Sequence, residues 1–207
     1  MRKAILALLA ILAVIPPALA LPRGYSGNDL LQNCATEVIV CETYLRSLLD
    51  AHDTLLVWSQ NPSRICPPRS MEPAELWRTL RAQLAARPER LGASAGSLVL
   101  DALQVAYPCP VGAAAALPAV TTQTGVDLAN RCTTAAGCEP ALLGALDAHQ
   151  TLVDWQRIPK PYVCLPDDST IAQWRLALLR YMQAHLDQLN FSAGSLTLLA
   201  IAESNPC

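Results

Sequence analysis

Five residues, Ser94-Ala95-Gly96-Ser97-Leu98, return unchanged as Ser192-Ala193-Gly194-Ser195-Leu196, at an offset of 98. Each copy is followed at the same distance by Pro-Cys, as Pro108-Cys109 and Pro206-Cys207. Three of the four cysteine correspondences keep this offset: Cys34 with Cys132, Cys66 with Cys164 and Cys109 with Cys207. Cys41 matches Cys138 at 97, one residue being lost between them. A chain built this way contains one unit twice. Two copies are too few for a solenoid, so the pattern predicts two tandem globular units, residues 24–110 and 122–207, joined by a linker over 111–121.

Each unit reads as four helices. Aromatic residues make up only 5% of the chain, which leaves Leu and Ala to fill a core and favours helices over strands. Ser26 to Asp29, and Thr124 to Asp127 in the copy, supply caps for a first helix. A second helix is predicted from about Cys41 to Trp58. Cys41, Tyr44, Leu45, Leu48, His52, Leu55 and Leu56 form its apolar stripe at helical spacing, and Cys138, Ala141, Leu142, Ala145, His149, Leu152 and Val153 form the copy's. Proline-rich loops follow, 59–70 and 156–169. A third helix begins near Pro73 and stops before Pro88, and a fourth begins at the N-cap Ser94.

The N-terminus reads as a secretory signal, residues 1–20. Arg2 and Lys3 are its basic start, Ala4 to Ile15 its apolar centre and Ala18-Leu19-Ala20 its cleavage site. The apolar run is about twelve residues, short of the roughly twenty a span needs. Loss of Arg2 and Lys3 takes 15 basic residues to 13 against 17 acidic ones, net −4. That balance speaks against nucleic acid and anionic membrane surfaces as partners. All eight cysteines lie beyond the signal, and an even count in an exported chain reads as four disulfides. In an up-and-down unit Cys34 lies near Cys41 at one pole, and Cys66 meets Cys109 at the other. The copy then pairs Cys132 with Cys138 and Cys164 with Cys207. The competing pairing is Cys41–Cys66 with Cys34–Cys109.

No catalytic or cofactor constellation is legible. His52 and His149 recur on an apolar face and read as buried, hydrogen-bonded side chains, because a zinc site needs further ligands at suitable spacing. Asp50 and His52 are two apart on a helix and cannot form a local dyad. His185 occurs in one copy and reads as solvated. Glu72 and Glu75 suit the first turn of a helix through the dipole alone. Trp58, Trp155, Trp77 and Trp174 read as core anchors. Cofactors and metals are expected to be absent. Arg64 and Arg69 in the first loop, and Arg157 and Lys160 in the second, are the candidate partner-binding residues; the alternative is that these loops are plain connectors.

The pattern Gly-x-x-Leu-x-x-x-Cys, Cys-x-x-Tyr-Leu with Asp-Ala downstream, Cys-x-Pro, then Ser-Ala-x-x-Leu and a closing Pro-Cys resembles the Tai/Rap-type periplasmic immunity proteins of type VI secretion. It runs from Gly27 to Cys109 and, as a second copy, from Gly125 to Cys207. Thr43 and Pro140 stand where that family carries glycine, and Ala141 replaces the tyrosine kept as Tyr44. The resemblance implies a small all-helical unit that blocks a secreted peptidoglycan-cleaving effector: a binding protein, not an enzyme. A periplasmic acid-stress chaperone is the alternative. Each unit is near the size at which a single core is thin, so the two are expected to pack as a pseudo-dimer. Positions shared by both copies, including Asp-Ala-His and the Trp closing the second helix, are then expected at the interface.

Overall fold

A computed structural model describes residues 24–68, 71–110 and 123–207. The expected signal (1–20), the linker (111–121) and Arg69 lie outside the described residues. The described chain is all-helical, with α1 Gly27–Thr36, α2 Val38–Trp58, α3 Pro73–Ala85 and α4 Ala95–Ala106 in the first repeat. The second has α5 Gly125–Arg131, α6 Ala135–Asp154, α7 Ile171–Ala184 and α8 Ala193–Ser204. The predicted caps form. Ser26 and Asp29 make a reciprocal capping box at α1, Thr124 and Asp127 the same at α5, and Ser94 and Ser192 accept the amides of Ser97 and Ser195. α2 starts at Val38, three residues before the predicted Cys41. Val38 and Ile39 are 65% and 71% exposed, so the first turn of α2 lies off the buried stripe that marks the rest of the helix.

The disulfides are Cys34–Cys41, Cys66–Cys109, Cys132–Cys138 and Cys164–Cys207, as the two-pole arrangement requires. The short bridges tie α1 to α2 and α5 to α6. The long ones, each spanning 43 residues, tie the loop after the second helix to the end of the fourth. In the chain-entropy description each such closure contributes about 3–4 kcal/mol.

One apolar core runs through both repeats, and its axis is the α2–α6 pair. The cross-contacts join residues at nearly the same place in the repeat: Ser47 Oγ donates to the Ala141 carbonyl at 2.6 Å, Gly144 lies against Leu48, and Asn61 reaches Arg157 just past the helix ends. The two helices therefore run parallel, about a pseudo-two-fold axis along their length. α4 packs on α6 and α8 packs on α2, so each repeat lays its last helix across the other's second.

The repeated five-residue motif serves both levels of this arrangement. Its first serine caps a helix locally. Its glycine lets that helix touch the other repeat: a Cβ at Gly96 would stand 2.8 Å from the Asp147 carbonyl, and one at Gly194 would meet the Ala51 amide at 2.5 Å. Of the Asp-Ala-His triplet, both aspartates reach across the axis and Ala51 meets Gly194 of the other repeat, whereas His149 bonds within its own repeat. The Gly194 amide donates to Asp50 at 2.5 Å, and the Tyr44 hydroxyl donates to Asp147 at 2.6 Å. Burial pushes the Asp50 carboxyl up to about 6 and the Asp147 carboxyl up to about 7.

Two outcomes follow. Gly194→Val is expected to destabilise the oxidised chain by about 1–3 kcal/mol in urea unfolding, through overpacking. Gly92→Ala, with nothing within 4 Å of its added carbon, is expected to leave the midpoint unchanged. The second outcome concerns pH. Asp50 and Asp147 have folded values above the ordinary 3.8. Their contribution is therefore complete below about pH 4 and is lost as pH rises through 6 and 7. His149, held down at about 4 by burial, acts in the opposite sense, its contribution being lost as pH falls from 6.5 towards 4. Two groups outweigh one, so these three together favour the mildly acidic fold. Asp147→Asn is expected to lose less stability than the native chain between about pH 5 and about pH 8. An identical loss in thermal melts would refute the assignment.

Candidate partner-binding surface

Because α2 and α6 run parallel, they deliver their following loops to the same pole. Both helices end in the same way. Gln60 and Gln156 each adopt a left-handed conformation, φ 55°. The next residue's amide closes back on the helix, Asn61 to the Leu56 carbonyl at 2.9 Å and Arg157 to the Leu152 carbonyl at 2.8 Å. This is the Schellman ending, in which glycine is the usual left-handed residue. The chain is thereby turned sharply towards the axis in both repeats.

There the loops touch. Asn61 Nδ2 donates to the Arg157 carbonyl at 2.6 Å, and the Arg157 guanidinium donates to the Pro62 carbonyl at 2.9 Å. Tyr162 stands edge-on to Trp58 of the other repeat, ring centroids 5.5 Å apart. Each loop is also pinned at its far side. Cys66 and Arg64 exchange backbone hydrogen bonds with Tyr107 and Cys109, and the Cys164 amide donates to the Asn205 carbonyl.

Of the predicted binding residues, Arg64 and Arg157 are brought together, and Lys160 is exposed on the second loop. Partial burial, and then the neighbouring Arg64, hold the Arg157 guanidinium below its usual value. A cleft of about 190 Å³ opens between the repeats at this pole, bounded by His52, Leu56, Arg64, Ile65, Asp101, Gln104, Leu152, Trp155 and Arg157. Asp101 is already paired with Arg90 at 2.7 Å. A wider groove of about 520 Å³ runs along α7 and α8. It lies within the second repeat alone and includes none of the predicted basic residues.

The histidines separate. His149 Nε2 accepts the amides of Tyr162 and Val163 at 3.0 and 3.3 Å, the hydrogen-bonded role expected of it, and burial keeps it neutral. His52 Nδ1 pairs with Asp53 at 2.9 Å, and Asp50 turns away to α8, so the two form no dyad. His185 is not fully solvated as expected: its ring lies 4.2 Å from that of Tyr181, and Glu203 is 3.6 Å away. The tryptophans also need correction. Trp174 is buried, but Trp58, Trp77 and Trp155 are only half-buried, and Trp58 and Trp155 sit at the loop pole. They close the second helix where the core gives way to the loops, so each ring is only partly covered. Among the described residues no three His, Cys, Asp or Glu side chains are placed to share a metal ion, and no helix is long and apolar enough to cross a membrane.

The comparisons with known proteins agree with the internal repeat. One family model, described as Rap1a immunity proteins, matches the chain twice, over residues 26–109 and 124–207. Neither the search of curated proteins nor that of solved structures returned a match.

A non-glycine residue in the left-handed region carries a steric cost of about 1–2 kcal/mol. Gln60→Gly and Gln156→Gly are each expected to stabilise the chain by about 0.5–1 kcal/mol, part of the relief being offset by glycine's greater unfolded freedom. A lower urea midpoint in either variant would show that the glutamine side chain is needed there.

Proposed function

Because the chain belongs to the Rap1a immunity protein family over both of its repeats, we propose that it acts in the periplasm as a stoichiometric inhibitor of a secreted, peptidoglycan-cleaving effector of type VI secretion. The family match carries the reading, and that family consists of immunity proteins, not enzymes. Four disulfides suit an oxidising compartment outside the cytoplasm. In this reading residues 24–110 and 122–207 are two halves of one binding body, and Arg64, Arg157 and Lys160 meet the partner. Loops already fastened by disulfides and backbone bonds lose little further freedom on binding.

The alternative, an acid-activated chaperone, would need the inter-repeat contact to loosen on acidification. Asp50 and Asp147 do not supply that trigger, because burial raises both carboxyls and their protonation on acidification costs the fold nothing. The chain, co-expressed with periplasm-directed candidate effectors, is expected to protect against one of them and to form a complex of fixed stoichiometry with it. The double reversal Arg64→Glu/Lys160→Glu is expected to weaken that complex at least tenfold, read by calorimetry. Protection against none, with suppression of aggregation of several unrelated proteins at low pH, would overturn the reading in favour of the chaperone.

A further inference from the structure

The two repeats differ at the loop pole, and only one of them is left open. In the second, His149 holds two amides of its own loop, and Tyr162 reaches across to stand edge-on to Trp58 of the first. The loop is sealed onto its helix. At offset 98 the places of Tyr162 and Val163 are taken by Arg64 and Ile65. Here the Ile65 amide bonds instead to Ser63 Oγ at 3.1 Å. Among the described residues no backbone amide reaches His52, whose Nδ1 is occupied by Asp53, so Nε2 is the ring nitrogen left for a visitor to the cleft. A long cation stands where the other repeat has an aromatic lid.

Size and charge narrow what such a cleft accepts. Cavities for drug-sized ligands run about 300–1,000 Å³, so about 190 Å³ suits one side chain and not a cofactor. Arg64 and Arg157 present two guanidiniums to it. The one carboxylate on its wall, Asp101, is already committed to Arg90. Like charges held side by side repel, and a carboxylate between them would relieve the repulsion while accepting strong charge-assisted hydrogen bonds from planar forks. Trp155, Leu56 and Leu152 supply an apolar surface for the methylene stem of such a side chain. The geometry points to this cleft as a single anchor site, one per chain, for an aspartate or glutamate side chain presented by a loop of the effector. It rests on the reading that an effector is bound, and it adds which chemical group on that effector is gripped and where.

The cleft is tested first without any effector. The full oxidised chain, labelled at the tryptophan indoles, is titrated with N-acetyl-glutamate amide and with its glutamine analogue. The Trp155 indole resonance, assigned with Trp155→Phe, is expected to shift saturably with the glutamate probe, and at least tenfold more weakly with glutamine. Arg64→Gln is expected to abolish the difference and Arg64→Lys to keep part of it. Arg64 is exposed and makes no side-chain ion pair among the described residues, so both variants are expected to fold. An equal response to both probes, or none that saturates, overturns the carboxylate site. The second arm uses an effector that the native chain neutralises. There Arg64→Gln is expected to lower affinity at least tenfold, and unchanged affinity overturns the anchor while leaving the inhibitor reading intact. If the native chain neutralises no effector, the inhibitor reading fails, and the anchor's assignment to an effector falls with it whatever the probes show.

Discussion

The closeness of α2 and α6 is the constraint on which the rest of the molecule depends. Neither repeat is large enough to bury both of its second helix's faces against its own short helices. The pair solves this by sharing one core, with Leu45 and Leu48 on one side and Leu142 and Ala145 on the other all fully buried. Helices this near tolerate only small or inward-bonding groups between them, and Ser47 and Gly144 meet that need. Gly96 and Gly194 extend the same requirement to the flanking helices. The buried aspartates are tolerated because each carries a donor from the opposite repeat, so the polar contacts that penalise a mispaired arrangement also define the paired one.

Much of this was legible in the residues. The starts of α1, α4, α5 and α8 followed from Ser and Thr caps, and the disulfides followed from topology, since short turns between four helices leave few ways for cysteines at the poles to meet. Of the shared positions beyond the cysteines, Asp50, Asp147, Ala51 and Trp58 do meet the other repeat, and His149 does not. The parallel direction of α2 and α6 was not legible, because a stripe of apolar residues says which face is buried and not which way its partner runs. The glycine of the repeated motif was read through its neighbour: Ser94 explains a cap on its own, and nothing local reveals that Gly96 faces a foreign helix. The first turn of α2 leaves no trace in the pattern because exposed Val38 and Ile39 carry no amphipathic phase. The cleft escaped because it depends on residues far apart in the chain, His52, Arg64, Asp101 and Arg157, meeting at one pole.

The copies have drifted apart where the halves meet. Tyr44 faces Asp147, yet its counterpart Ala141 offers Asp50 nothing, and Asp50 is served by the Gly194 amide and the Ser192 hydroxyl instead. Asp53 beside His52 has Gln150 as its counterpart. The loop pole combines a closed side built on His149 with an open side built on His52, and the two cations that meet there come from different repeats.

That last pairing has a consequence for what a fused chain can do. In a dimer of identical subunits every substitution appears on both sides of the axis, so an aromatic lid at one loop would impose the same lid on the other. Joining the copies in one polypeptide lifts that rule. One half is free to keep the tyrosine that steadies the pole, while the other exchanges it for arginine and opens a door. Because the halves are covalently tethered, their association also does not weaken on dilution, as that of separate subunits would. Dilution would then leave the asymmetric pole assembled.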